Sequence, residues 1–210
     1  LYQTLTEKSQ AGIYCLLDRK FQYINPELAR ESGFSPHEVV GADDMRFIHP
    51  DDRDMVRENA IKMLKGGRST PFEFRLTDKD RQARWVIGSV TNIHYRGRPA
   101  ILGHYINITE RKKAEEELRS SEERLSILFK FAPDACYLSD LKGNFIDGNK
   151  AAEEITGYKR DELIGKSFLK LKLLPPRQIL KAAALLAKNA LGQPTGPDEF
   201  TLTRKDGTKL

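Results

Sequence analysis

Histidine and cysteine are the residues of this chain best suited to bind a metal ion or act as a nucleophile, and their spacing favours neither role. The two cysteines, Cys15 and Cys136, lie far apart without CxxC spacing, which excludes a disulfide framework or cysteine zinc site and fits a reducing compartment. No HExxH motif or close histidine pair is present, and no motif sets a serine or cysteine beside a base. The histidines are His37, His49, His94 and His104. We expect no catalytic residue and no metal site.

Composition and charge place the chain among globular proteins. It has 210 residues, of which 39% are hydrophobic and 31% charged, with a net charge of +5. Basic and acidic residues are interleaved, so no element carries the concentrated basic stripe that binds nucleic acid. No stretch reaches the roughly 18 apolar residues of a membrane span. We expect a cytoplasmic region of a longer polypeptide, since the chain begins with Leu1 rather than Met, and the parent protein could be anchored in a membrane elsewhere.

The chain contains two copies of one sequence pattern. A shift of 124 residues places 1–41 on 125–165, and a shift of 126 aligns 66–80 with 192–206 at eight identical positions. Chance would give about one identity in such a window. A period this long indicates tandem domains rather than a solenoid. Within these 210 residues the second copy stops at the counterpart of Arg84.

One copy has the pattern of an α+β domain, with short strands on either side of several helices. The predicted strands of the first copy are 12–17, 21–24, 72–77, 84–93 and 99–108. Asn25-Pro26 and Ser35-Pro36 supply an N-cap followed by proline at the first helical position, and a longer helix is predicted near 50–65. The second copy repeats this plan as far as its third strand, at 199–204, which we expect to be an exposed sheet edge.

Residues 110–131 have the heptad spacing of a coiled coil. The residues of the predicted dimer seam are Ala114, Leu118, Ser121, Leu125 and Leu128. At about 1.5 Å per residue the segment is a rod of roughly 33 Å between the copies. We expect it to form a homodimer, and a plain amphipathic helix packing on its own domain is the alternative. The predicted organisation is therefore a first domain over 1–109, a linking helix over 110–131 and an incomplete second domain over 125–210.

Three motifs of the first copy in combination resemble the PAS family of sensory domains. They are Gly33-Phe34-Ser35-Pro36-His37-Glu38-Val39-Val40-Gly41, then Ile48-His49-Pro50-Asp51-Asp52-Arg53, and finally Gly103-His104-Tyr105-Ile106-Asn107-Ile108-Thr109-Glu110-Arg111-Lys112. The last is similar to an Asp-Ile-Thr-Glu-Arg signature that precedes a signalling helix. Asn107 departs from the pattern, because the family usually has Asp there.

The resemblance implies that each domain is a five-stranded antiparallel sheet with short helices on one face, enclosing a small hydrophobic pocket. Such domains act as sensory or dimerisation modules in histidine kinases of two-component systems, diguanylate cyclases and transcription regulators. The implied signal relay runs through Asn107, Ile108, Thr109, Glu110 and Arg111 into the linking helix. We expect a sensor histidine kinase as the parent, with a downstream kinase domain in the same chain, and a diguanylate cyclase as the alternative.

Strand alternation supplies candidate wall residues of the pocket, to which Phe34, Phe47 and Met55 are added from outside the strands. They are Ile13, Cys15, Phe34, Phe47, Met55, Phe74, Leu76, Trp85 and Tyr105. The resemblance favours neither haem nor flavin, because 50–65 and 175–191 contain no histidine and neither cysteine lies in an Asn-Cys-Arg-Phe-Leu context. We predict no cofactor. An unidentified small ligand and a filled core, as in a constitutive protein–protein interaction module, both stay open at this point.

Overall fold

Strands from both ends of the first copy meet in one antiparallel sheet. The computed structural model describes residues 6–67 and 70–210, so the first five residues of the predicted domain over 1–109 lie outside the described residues. The strands are β1 (Gly12–Leu17), β2 (Lys20–Ile24), β3 (Phe72–Thr77), β4 (Ala83–Tyr95) and β5 (Arg98–Asn107). Their spatial order is β2-β1-β5-β4-β3. This five-stranded sheet confirms the α+β fold predicted for the first copy.

The hairpin between β1 and β2 is closed by two residues in the left-handed region. Asp18 has a φ of 52° and Arg19 a φ of 63°. Positive φ at both central residues is the geometry of the two-residue turn whose twist matches that of the flanking strands. The predicted loop, 18–20, is therefore one residue shorter in the structure, and Lys20 already belongs to β2.

The helices of the first unit lie close to their predicted positions, and the first two begin after the predicted N-caps Asn25 and Ser35. They are α1 (Pro26–Ser32), α2 (Pro36–Val39) and α3 (Arg53–Leu64), with single 3₁₀ turns at Asp44–Phe47 and Pro50–Asp52. Gly33 ends α1 with a φ of 73°. At α2 the Glu38 carboxylate accepts hydrogen bonds from the backbone N–H of Ser35 at 2.8 Å and from its hydroxyl at 3.0 Å. Local capping chemistry thus sets the starts of α1 and α2, whereas α3 begins without a side-chain cap.

The helices cover one face of the sheet and enclose a hydrophobic core. Its buried members include Leu16, Phe21, Leu28, Val39, Ile48, Val56, Phe74, Val86 and Tyr105. Val39 and Val86 are each only 1% exposed. Burial of such side chains stabilises the fold by about 1.5–3 kcal/mol each.

Asn25 fixes the junction between β1, β2 and α1. Its side chain is fully buried, and its Oδ1 accepts hydrogen bonds from the backbone N–H of Ile13 at 2.9 Å and of Leu28 at 3.1 Å. Its Nδ2 donates to the backbone oxygens of Thr6 and Ala11, both at 2.9 Å. All four hydrogen-bonding positions of the amide are therefore used within one short stretch of chain.

Asn149 makes the same set of hydrogen bonds in the second copy. Its Oδ1 accepts from the N–H of Cys136 and Ala152, both at 2.9 Å. Its Nδ2 donates to the backbone oxygens of Ala132 at 3.3 Å and Asp134 at 2.8 Å. The sequence identity at this pair of positions thus corresponds to an identical structural role.

The chain divides into two units, one ending at Glu117 and the next beginning at Leu118. Helix α4 (Thr109–Lys130) starts in the first unit and ends in the second, within one residue of the predicted 110–131. The second unit then contains β6 (Tyr137–Ser139), β7 (Phe145–Gly148), α5 (Lys150–Thr156), α6 (Arg160–Leu163) and α7 (Pro176–Ala190). Its sheet has two strands. No helix among the described residues has the length and apolar character needed to cross a membrane.

The third strand expected at 199–204 is reduced to a short hairpin at the end of the chain. Leu202 exchanges backbone hydrogen bonds with Leu210 at 2.9 and 3.0 Å, and the N–H of Arg204 donates to the Thr208 oxygen at 2.8 Å. The corresponding bond in the first unit joins Asp78 and Gln82 at 3.0 Å. Residues 202–204 therefore form the start of the same kind of hairpin that joins β3 to β4 in the first unit.

Asp52 of the His-Pro-Asp-Asp-Arg motif joins the start of α3 to β3. Its carboxylate accepts hydrogen bonds from the Arg75 backbone N–H at 2.8 Å, from Nε at 3.0 Å and from Nη2 at 2.6 Å. Asp52 is 8% exposed. We expect Asp52→Asn to lower the free energy of unfolding by about 2 kcal/mol at pH 7, the usual contribution of hydrogen bonds to a charged group. Urea denaturation followed by fluorescence of Trp85, the single tryptophan of the chain, measures the loss.

The effect of Asp52→Asn should depend on pH. The hydrogen bonds from Arg75 hold the pKa of the Asp52 carboxyl below its ordinary value. Its contribution is therefore present above the unfolded-state pKa of about 3.9 and is lost as pH falls through the lower folded-state pKa. The control is Asp51→Asn, because Asp51 is largely exposed and contacts Arg75 only at 3.4 Å. A difference between wild type and Asp52→Asn that grew on acidification would contradict this assignment.

Candidate functional site

A cavity of about 100 Å³ lies between the inner face of the first unit's sheet and the helices that cover it. Side chains of β1, β3, β4, β5, α1 and α3 line it, and most of them are apolar. A dry engineered cavity of about 150 Å³ lined by aliphatic and aromatic residues is known to bind benzene. The cavity is therefore of a size that suits a small organic molecule.

The structure brings four of the nine predicted wall residues to this cavity. These are Phe47, Phe74, Leu76 and Tyr105. The other five do not line it: Ile13, Cys15, Phe34, Met55 and Trp85. Phe34 packs behind the wall, with its ring 5.0 Å from that of Phe47, and Met55 is 37% exposed.

Strand β1 faces the cavity with the alternate set of residues. Tyr14 and Leu16 line it, so Ile13 and Cys15 point to the opposite face of the sheet. Both sets are largely apolar, and polarity alone could not choose between them. The prediction for Ile13 and Cys15 is corrected accordingly.

Trp85 lies on the outer face of the sheet, because Arg84 and Val86 are the cavity-lining residues of that part of β4. The Arg75 guanidinium carbon is 5.6 Å and the Lys112 Nζ 5.5 Å from the Trp85 ring centroid. Lys112 also pairs with Glu73 at 2.6 Å. These cation–π and ionic contacts hold the first turn of α4 against the sheet.

The charged lining of the cavity is the part that sequence reasoning missed. Among the described residues it consists of Glu31, Asp44, Asp78 and Arg84. Asp44 pairs with Arg19 at 2.9 Å, and Asp78 pairs with Arg84 at 2.8 Å. Burial raises the pKa of Asp44, and the hydrogen bond from Arg19 opposes that change.

Glu31 is in a different situation from the paired carboxylates. Burial raises the pKa of Glu31, while a hydrogen bond with the Asn107 side chain opposes the rise. Its Oε2 atom is buried and has no hydrogen-bond partner among the described residues. The signal in the sequence was the spacing of three residues from buried Leu28, which puts Glu31 on the inward face of α1.

Asn107 connects the cavity to the start of α4. It lines the cavity, and its Oδ1 accepts a hydrogen bond from the Thr109 N–H at 2.9 Å. The Thr109 hydroxyl in turn accepts from the Trp85 N–H at 3.0 Å, and the Ile108 N–H donates to the Trp85 oxygen at 2.8 Å. Three of the predicted relay residues therefore form one hydrogen-bonded junction between β4, β5 and the helix.

The last two predicted relay residues face solvent. Glu110 pairs with Lys113 at 2.9 Å and Arg111 with Glu115 at 2.7 Å, both along the helix. Asparagine at 107, where the family usually has aspartate, can donate its amide to the Glu31 carboxyl group. An aspartate there would set two carboxylates against each other in a buried place.

The predicted dimer seam is exposed along α4. Leu118 is 61%, Leu125 63% and Leu128 61% exposed, and Ala114 and Ser121 are exposed as well. None of the residues of α4 is buried. Leucines at heptad spacing with most of their surface accessible are typical of a helix that pairs with another helix.

The second unit contains a cavity of about 10 Å³ beside Phe145, close to the size of one water molecule. Tyr137 and Phe168 pack on Phe145, with ring centroids 5.3 and 6.2 Å apart. In neither unit do the described residues group three or more His, Cys, Asp or Glu in a way that could hold a metal ion.

The first unit is an α+β module in which a five-stranded antiparallel sheet encloses a cavity beneath short helices and continues into a long helix. Comparison with known families agrees: residues 21–103 match the PAS fold model and residues 133–210 match a PAS domain model. The chain belongs to the PAS family and carries two PAS domains in tandem.

Individual relatives are more distant. The chain is 27% identical over 150 residues to the uncharacterized protein y4lL of Sinorhizobium fredii, covering 66% of this chain and 17% of that one. It is 29% identical over 123 residues to the sensor protein FixL of Bradyrhizobium diazoefficiens, covering 57% and 24%. It is 33% identical over 102 residues to the aryl hydrocarbon receptor of Mus musculus, covering 48% and 12%. The matched region thus spans at most about a quarter of these relatives.

The solved structures that resemble this chain also have low sequence identity to it. A sensory box histidine kinase/response regulator from Burkholderia thailandensis is 25% identical, with a TM-score of 0.48 over 60% of this chain and 98% of that one. A PAS domain from Colwellia psychrerythraea is 17% identical, with a TM-score of 0.48 over 52% and 95%.

Proposed function

We propose that this chain is the sensory region of a signal-transduction protein, in which the first domain binds a small ligand in its cavity and relays its state through α4. The single observation that carries the proposal is the position of Asn107. This side chain lines the cavity and also hydrogen-bonds to the N–H of Thr109 at the first residue of α4. A change in cavity occupancy that moves Asn107 therefore alters the start of the helix.

The proposed organisation is a sensory domain over 1–109, a linking helix over 110–131 and a second PAS domain over 125–210. The output domain follows in the same polypeptide, which we propose to be a cytoplasmic sensor histidine kinase, with a diguanylate cyclase as the alternative. The match to the sensor protein FixL supports a sensor as the parent. In this proposal residues 1–210 bind the ligand and transmit the conformational change, and the output domain carries out catalysis.

A second copy of this chain is the proposed partner of α4. The accessible leucines at positions 118, 125 and 128 support this assignment, because they repeat at heptad spacing and no residue of the helix is buried. Pairing of the two α4 helices would connect the first domains of both copies to one two-stranded coiled coil. A rotation or register shift of that coiled coil would then transmit the signal.

The alternative to a ligand-binding sensor is a constitutive protein–protein interaction module with a filled core.

Filling the cavity tests the proposed relay. Ala60 of α3 lines the cavity, and Ala60→Leu replaces its methyl group by an isobutyl group, which adds three carbon atoms. We expect hydrogen exchange at the backbone amides of residues 109–112 to change by about tenfold, since altered packing around Asn107 shifts the junction with Thr109. Overpacking is expected to cost at most about 1–3 kcal/mol of stability. Hydrogen-exchange mass spectrometry measures both effects.

The matched control is Ala187→Leu, which makes the same change at an exposed position of α7. It should leave exchange at 109–112 unaltered. Equal exchange at 109–112 in wild type and a folded Ala60→Leu variant would show that the cavity does not communicate with the helix.

A further inference from the structure

We infer that the ligand of the first domain is a small organic cation, a primary amine on a short apolar body, whose ammonium group binds the carboxylate of Glu31. The inference rests on the proposed sensory function of this cavity and adds the chemical class of the ligand. It follows from the charge of the cavity lining, the hydrogen-bonding state of Glu31 and the size of the cavity.

The charge of the lining favours a cation. Three carboxyl groups and one guanidinium group line the cavity among the described residues. Asp78 forms an ion pair with Arg84, and Asp44 forms one with Arg19, which does not line the cavity. Glu31 is the lining carboxyl left without an ion pair in the described part of the chain. A ligand carboxylate would add a further negative charge to this group, which is unfavourable at low dielectric.

The hydrogen-bonding state of Glu31 points to a donor on the ligand. Oε2 is buried without a partner, and a buried acceptor left unsatisfied typically costs about 1–3 kcal/mol. The neighbouring amide of Asn107 is already committed, because its Oδ1 accepts from Thr109 and its side chain hydrogen-bonds to the Glu31 carboxyl group. Because the Glu31 side chain lines the cavity, an ammonium group bound there is the donor proposed for this carboxylate.

The remaining wall selects an apolar body of limited size. Leu28, Val56, Val86 and Ile101 surround the space, which measures about 100 Å³. Since about 150 Å³ accommodates benzene, which has six non-hydrogen atoms, this space suits a ligand smaller than benzene. An ammonium group leaves water at high cost unless it meets an opposite charge, and Glu31 supplies that charge. Binding there would act on Asn107, the residue proposed to relay the signal.

A series of ligands with nearly the same shape tests the inference on the intact chain. Isothermal titration with n-butylamine, 1-butanol and butyrate compares a cation, a neutral donor and an anion on similar apolar bodies. We expect butylamine to bind at least about tenfold more tightly than butanol, because a charge-assisted hydrogen bond exceeds a neutral one by about 1.4 kcal/mol or more. Butyrate should not bind measurably.

Substitution of Glu31 is the second part of the binding test. Glu31→Gln keeps the shape of the side chain and should weaken butylamine binding about 10–100-fold while changing butanol binding less than threefold. Glu27→Gln, one turn earlier on α1 and paired with Arg30, is the control and should bind butylamine as the wild type does. If Glu31→Gln does not fold, the ligand series on the unmodified chain still decides the question.

The outcomes separate this inference from the proposed function. Equal binding of butylamine and butanol, unaffected by Glu31→Gln, would overturn the amine assignment and leave a sensory cavity for neutral molecules. Tightest binding of butyrate would also overturn it. Absence of binding by all three compounds, together with no relay in the Ala60→Leu variant, would overturn both.

Discussion

Replacing Asn25 with alanine is expected to lower the free energy of unfolding of the first domain by about 4 kcal/mol. The substitution leaves the N–H groups of Ile13 and Leu28 and the oxygens of Thr6 and Ala11 without their side-chain partner. Each buried polar group left unsatisfied costs about 1–3 kcal/mol, and relaxation or water recovers a part of the sum. Urea denaturation followed by Trp85 fluorescence measures the loss, because the single tryptophan belongs to this domain.

The equivalent substitution in the second copy is a matched control. Asn149→Ala removes the corresponding four hydrogen bonds there. It should leave the Trp85 transition nearly unchanged and destabilise the part of the far-ultraviolet circular dichroism transition that Trp85 does not report. A shift below about 1 kcal/mol in Asn25→Ala would mean that the amide is not a structural anchor of the fold.

Charging the seam of α4 is expected to dissociate the proposed homodimer. Leu118→Glu combined with Leu125→Glu replaces two apolar contacts, each worth about 1.5–3 kcal/mol when buried, with carboxylates that repel their counterparts. The dissociation constant should rise at least about 100-fold, since about 1.4 kcal/mol corresponds to a factor of ten. Sedimentation velocity or light scattering over micromolar concentrations measures the change in mass.

The control for this experiment is another exposed apolar residue on the same helix. Ile127 is 59% exposed and lies outside the predicted seam. Ile127→Glu should therefore leave the dissociation constant within about threefold of the wild-type value. A wild-type chain that stays monomeric throughout, or equal weakening by the two kinds of variant, would remove the coiled-coil assignment.

Local chemistry explains why so much of the fold could be predicted. Asn25, Pro26 and Gly33 fix the ends of α1 through hydrogen bonds and backbone geometry within a few residues. The strands of the first domain likewise follow from their β-branched and aromatic residues between turns. The predicted strand limits therefore differ from the observed ones by only one or two residues at most ends.

The candidate site was harder to predict because it depends on contacts between distant parts of the chain. Apolar residues occupy both faces of β1, so alternation could not show that Tyr14 rather than Cys15 faces the cavity. Trp85 has the size and polarity of a core residue, yet Arg75 and Lys112 hold it on the outer face. Glutamate is a residue type usually found on the protein surface. Glu31 becomes partly buried only because α1 packs against the sheet.

The buried asparagine of each copy bonds only to nearby chain, and this affects how a tandem repeat folds. The partners of Asn25 lie at most 19 residues away and those of Asn149 at most 17. Such contacts close small loops at low entropic cost, so each copy can organise its own nucleus as it leaves the ribosome. Self-contained nuclei disfavour the exchange of segments between homologous neighbours, a common route to misassembly in repeated domains.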